Sequence, residues 1–135
     1  MVDVMEQLIS AMNSHDASAV AELFATDYRS EQPLHPNRGF GGKEQVLANW
    51  TSVFEGVPDF VADQISSVTA EGTIWTELRW TGTHVDGSSF LMQGVTVIGV
   101  RDDKVAWARL YMEPVEQGGA DIDAAVRELY RSPRR

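Results

Sequence analysis

Residues 5–33 read MEQLISAMNSHDASAVAELFATDYRSEQP, and this stretch decides the fold. Val4, Leu8, Ile9 and Met12 recur at helical spacing with Ala11 beside them, so a first helix has one apolar face. Asn13-Ser14 should stop it. Asp16 is placed to cap a second helix, whose inner face carries Ala19, Val20, Leu23 and Phe24. Thr26-Asp27 is expected to break that helix. Tyr28 to Gln32 then reads as a short strand ending at Pro33. Tyr28, Ser30 and Gln32 share one face of it, and Arg29 and Glu31 the other. A chain that opens this way and continues with one more helix and a run of strands is expected to fold a curved sheet around its helices, as a cone with an apolar pocket.

Outward from this stretch, Pro33 to Gly39 reads as a loop, because two prolines and a glycine disfavour regular structure. Gly41-Gly42 precedes a third helix over Lys43 to Phe54, with Val46, Leu47, Trp50, Val53 and Phe54 inward. Gly56 stands where a helix-capping glycine belongs, and Pro58 blocks continuation. Strands follow over Phe60 to Thr69, Thr73 to His84, Ser89 to Arg101 and Val105 to Met112. Asp86-Gly87 and Asp102-Asp103 make the turns of an antiparallel meander. Pro114 to Gly119 reads as a linker. Asp121 to Arg131 reads as a last helix, with Ile122, Ala125, Val126 and Leu129 on one face. Helices and strands segregate rather than alternate, so the class is α+β: a curved, mostly antiparallel sheet wrapped around three N-terminal helices, plus a C-terminal helix. Residues 1–114 form the cone. Residues 115–135 form a linker and a helix expected to pack on the domain or on a partner.

The length of 135 residues fits one domain. The net charge of −9 argues against non-specific nucleic-acid binding, which needs a Lys/Arg surface. No apolar run approaches the roughly 20 residues of a membrane-spanning helix. The first residues carry acids and no basic region, so no secretory signal is expected. There are no cysteines, hence no disulfide and no thiolate chemistry, in keeping with a cytoplasmic setting. The three histidines are widely spaced, which gives no metal-ligand pattern. Gly39-Phe-Gly41-Gly42-Lys43 lacks the spacing of a phosphate loop and reads as the start of a helix. Neither metal nor cofactor is expected.

Several segments together resemble the nuclear transport factor two-like superfamily, and within it the SnoaL-like group. They are N-S-H-D at Asn13 to Asp16, A-E-L-F-A-T-D-Y at Ala21 to Tyr28, E-Q-P at Glu31 to Pro33, G-x-x-x-V at Gly42 to Val46, and D-K-V-A-W-A-R-L-Y-M-E at Asp103 to Glu113. The resemblance implies the cone fold. It leaves the reaction open, because its members include ketosteroid isomerases, polyketide cyclases, limonene epoxide hydrolases and proteins without catalysis. The ketosteroid isomerase base, an Asp before the strand-ending proline, is replaced by Gln32. Its tyrosine falls on Leu8, and its second acid near Thr96. The limonene epoxide hydrolase Asp falls on Leu110. The cyclase acid falls on Gln93, and its histidine near His84. Steroid-isomerase chemistry is therefore not expected.

What remains is a small-molecule pocket. If it catalyses, the expected chemistry is cofactor-free acid–base isomerisation, cyclisation, dehydration or hydrolysis of a small apolar or polyketide-like substrate; the alternative is a non-catalytic binding or accessory domain. His35, in the loop between two prolines, and His84, by the hairpin, are the candidate proton carriers, with Glu31 behind them. Each has a competing structural reading, as a loop, turn or outer-face residue, and His15 reads as part of the inter-helix break. Tyr28, Ser30, Gln32 and Thr96 would orient the ligand; Trp50, Trp80, Met92, Leu110 and Met112 would shape the cavity. Trp107, Arg109, Tyr111 and Glu113 fall on the outer sheet face, which in this superfamily commonly forms a homodimer.

Overall fold

The computed structural model describes residues 3–131. The first helix, α1 (Val4–Asn13), starts at Asp3, whose carboxylate accepts the Glu6 N–H at 2.8 Å. It buries Val4, Met5, Leu8 and Met12. The break after it is held from outside. The Asn13 side chain donates to the Ala62 carbonyl (3.0 Å) and accepts the Ala62 N–H (2.7 Å), as a neighbouring strand would. His15 takes a left-handed conformation (φ 59°), and its Nε2 bonds the Phe60 carbonyl at 2.7 Å.

The second helix, α2 (Ala17–Ala21), is capped by Asp16 as expected but is shorter than its sequence pattern. Leu23 and Phe24 do not continue it, and Thr26-Asp27 is not a break between elements. Strand β1 runs Phe24–Glu31 through those residues. The cause is tertiary: the Leu23 carbonyl accepts the Val105 N–H at 2.8 Å, and Phe24 pairs with Val105. Long-range pairing overrides local helical periodicity here.

After β1, the expected loop contains a 3₁₀ turn at Pro36–Arg38, started by its own proline. A two-residue strand, β2 (Phe40–Gly41), then pairs with Arg29 and Ser30. Helix α3 (Lys43–Gly56) begins from Gly42 and runs two residues beyond Phe54, so Gly56 is its last residue rather than its cap. Four long strands complete the sheet: β3 (Val61–Ala70), β4 (Thr73–Thr83), β5 (Ser89–Arg101) and β6 (Lys104–Pro114). The order is β2-β1-β6-β5-β4-β3, and all neighbours are antiparallel except β1 and β6.

The sheet is curved and unclosed, with helices on its concave side. One glycine shows how tightly it bends. A Cβ on Gly94 of β5 would collide with the Tyr111 carbonyl of β6. A second lets the convex face pack: the Trp107 indole lies where a Gly99 side chain would be. The core joins α1, α2 and α3 to the concave face through Met5, Leu8, Val20, Phe24, Val46, Phe60, Ile74 and Ile98. Trp50, Phe60 and Trp80 stack edge-on or tilted within it, with centroids 5.5–5.8 Å apart.

The last helix, α4 (Ile122–Leu129), is capped by Asp121. Its apolar residues are exposed, Ile122 to 78% and Leu129 to 74%. The end of the expected C-terminal region, residues 132–135, lies outside the described residues. Among the described residues no helix is long and apolar enough to cross a membrane.

Candidate functional site

Alternation fixes what the concave face presents. On β1, residues 28, 30 and 32 point one way, and cross-strand register carries that face to β6 and β5, where Ser30 stands opposite Ala108 and Leu110 opposite Thr96. With Leu78 and Trp80 of β4 they enclose a cavity of about 100 Å³. Its other wall comes from Met5, Leu8 and Met12 of α1 and from Val46, Asn49 and Trp50 of α3; Phe24, Phe40 and Ile98 fill between. Among the described residues that line it there is no Asp, Glu, His, Lys or Arg.

The polar groups of this cavity are few and underused. Thr96 is 4% exposed, and its hydroxyl has no hydrogen-bond partner among the described residues. The same holds for the Nε1–H of Trp80. Tyr28 is 2% exposed, and burial pushes its phenol up to about 12. It therefore stays protonated, as a donor rather than a base. The Ser30 hydroxyl nearby offsets a little of that rise, yet makes no hydrogen bond of good geometry. Gln32 accepts from the Arg38 guanidinium at 3.1 Å, which leaves its amide N–H groups for other work. Asn49 has its oxygen held by Gln45 at 2.7 Å. Thr76, opposite Thr96 on β4, is different: its hydroxyl meets that of Ser67 at 3.1 Å.

Of the residues singled out from sequence, Tyr28, Ser30, Gln32, Trp50, Trp80, Thr96 and Leu110 meet in this cavity. The other five lie outside its lining. Met92 pairs with Trp80, and Met112 is buried opposite Gly94. Glu31 borders a shallow cleft with Arg29, Pro33 and Pro36. His35 is held by the Glu113 carboxylate, Nε2 to Oε2 3.0 Å, with both side chains about one-third exposed. His84 sits at the β4–β5 hairpin, its ring edge-on to Phe90 at 5.4 Å. Beside it, the Asp86 carboxyl is held below its usual range, first by the Ser88 hydroxyl and N–H.

Sequence reasoning missed Asn49 and Phe40. Asn49 lies three residues after Val46 and one before Trp50, so helical spacing already put it on the inner face, but its polarity hid it. Phe40 belongs to the glycine-rich segment expected to start a helix, and instead forms the short strand β2. Among the described residues no cluster of three or more His, Asp or Glu could hold a metal ion.

The family model for the SnoaL-like domain matches residues 5–108. No curated protein matches the sequence significantly. Among solved structures, IdmH of Streptomyces antibioticus, named as a candidate polyketide cyclase, superposes with a TM-score of 0.71 at 22% identity, covering 82% of this chain and 89% of its own. A SnoaL-like candidate polyketide cyclase from Jannaschia sp. CCS1 gives 0.69 at 19% identity, covering 96% and 91%. A protein with a ketosteroid isomerase-like fold from Catenulispora acidiphila, in complex with trimethylamine, gives 0.70 at 14% identity, covering 78% and 82%. At these identities the likeness concerns the fold.

Proposed function

The chain belongs to the SnoaL-like family, and from that premise we propose that its cone binds a small, largely apolar molecule in the cavity between α1, α3 and the concave sheet face. One observation carries this reading: the lining is apolar and aromatic apart from a few uncharged polar groups. The same observation favours binding over acid–base chemistry inside the cavity. A base needs a carboxylate, an imidazole or a similar group in reach of the reacting proton. Tyr28, the titratable group of the lining, is protonated at neutral pH.

A second reading has its own support. The Glu113 carboxylate orients His35, an arrangement that suits a general base. Catalysis there would work at the rim, on a group projecting from the cavity, as an isomerisation, cyclisation, dehydration or hydrolysis. His84 and Glu31 would serve it less directly.

The reading includes a homodimer through the convex sheet face. Val68 and Trp75 stand opposite each other there, Trp75 46% exposed, in the row that continues through Val97 to Arg109. Arg109 stacks over Trp107 at 4.8 Å on the same face. The exposed apolar face of α4 would pack on the partner or on the domain's own surface.

Native mass spectrometry tests the binding reading, with Ala108→Leu as the control that fills the cavity. A retained small molecule should be lost in that variant. Equal retention by both proteins would place the ligand elsewhere. His35→Ala should leave binding intact, and should abolish turnover only if the rim reading holds.

A further inference from the structure

We propose that the ligand of this cavity is an uncharged molecule of about one ring, carrying two oxygen functions, one accepting from the Trp80 indole N–H and the other bonded to the Thr96 hydroxyl. This rests on the cavity being the ligand site, as argued above.

Size comes first. The cavity of about 100 Å³ is of the order of one that encloses a single benzene ring. A fused multi-ring molecule would have to displace lining side chains.

Charge comes next. No ionised side chain stands among the described lining residues. A buried carboxylate or phosphate would lack a cation, and a buried ammonium would lack an anion; either costs several kcal/mol unless paired. The aromatic wall of Trp50 and Trp80 could attract a methylated ammonium through its ring faces. Such a ligand would still leave the buried Trp80 donor unpaired.

The two oxygen functions follow from the unpartnered groups. Indole Nε1–H can only donate, so it needs an acceptor such as a carbonyl, ether or hydroxyl oxygen. The Thr96 hydroxyl, on another strand, can donate or accept. In register terms Trp80 pairs with Met92, four residues along β5 from Thr96. That is about 13 Å along the strand. At that strand separation two oxygens at opposite ends of a ring suit the two anchors better than one. Ser30 and Tyr28 form a further polar point beside them.

Four compounds test this by calorimetry: para-methoxybenzyl alcohol, its isostere para-diethylbenzene, para-methoxybenzoate and para-methoxybenzyl-trimethylammonium. The alcohol should bind about thirtyfold tighter than the hydrocarbon, the worth of two hydrogen bonds of ordinary net strength, and tighter than either ion. Thr96→Val and Trp80→Phe should each reduce the alcohol's advantage over the hydrocarbon, both compounds being measured on the same variant. Thr96→Ser should keep that advantage, which separates loss of the hydroxyl from loss of packing. Equal binding of alcohol and hydrocarbon, or preference for the anion or the ammonium, overturns the proposal and leaves the cavity a ligand site. Failure of all four to bind overturns both.

Discussion

Thr96 and Thr76 are register partners on adjacent strands, both buried, and replacing each by valine should move stability in opposite directions. Valine keeps the branched shape and removes only the hydroxyl. At Thr96 that hydroxyl has no partner among the described residues, and an orphaned buried polar group costs about 1–3 kcal/mol. Thr96→Val should therefore stabilise the ligand-free protein by about 1 kcal/mol, raising Tm by about 4 °C. At Thr76 the hydroxyl meets Ser67 at 3.1 Å, and its removal loses that hydrogen bond, with exposed Ser67 left to bond water. Thr76→Val should destabilise by about 1 kcal/mol. Urea unfolding of the two variants and the parent gives both numbers. If Thr96→Val is as damaging as Thr76→Val, the Thr96 hydroxyl serves the fold and is not held in reserve for a ligand.

Three further outcomes follow from other parts of the fold. Tyr28 should make the protein alkali-sensitive: its phenol is raised from 10.0 to about 12 on folding. Below the unfolded value both states are protonated, and above it the unfolded chain ionises first, so stability falls with rising pH, by ~3 kcal/mol once the folded value is passed; Tyr28→Phe should flatten that decline in pH-dependent unfolding. Gly94→Ala should cost several kcal/mol or prevent folding, because the new methyl meets the Tyr111 carbonyl; a parent-like melting curve would show that the sheet bends without it. Trp75→Glu should yield a folded monomer by analytical ultracentrifugation, and a species of unchanged mass would remove the convex face from the dimer proposal.

The parts of the fold that were legible in the sequence are those set by local chemistry. The sequence predicts β5 over Ser89–Arg101, its observed span, because strand-forming residues run between two recognisable turns. The caps Asp16 and Asp121 were legible for the same reason. The start of β1 was not, because a bond from distant Val105 ends the helical pattern at Leu23. In the site, alternation gave the inward face of β1, β5 and β6, hence Ser30, Gln32, Thr96 and Leu110. It gave no depth along a strand: Met92 and Met112 share that parity yet lie outside the lining. His35 belongs to a turn, where periodicity says nothing, and its partner Glu113 is visible only once β6 is in place.

The four tryptophans offer the most direct test of the central claim. Trp50 and Trp80 line the cavity, whereas Trp75 and Trp107 belong to the convex face. Titration with para-methoxybenzyl alcohol, followed by the indole N–H signals in NMR, should shift Trp80 most and Trp50 with it, leaving Trp75 and Trp107 in place. Movement of the convex-face pair, with the Trp80 signal unchanged, would contradict the account.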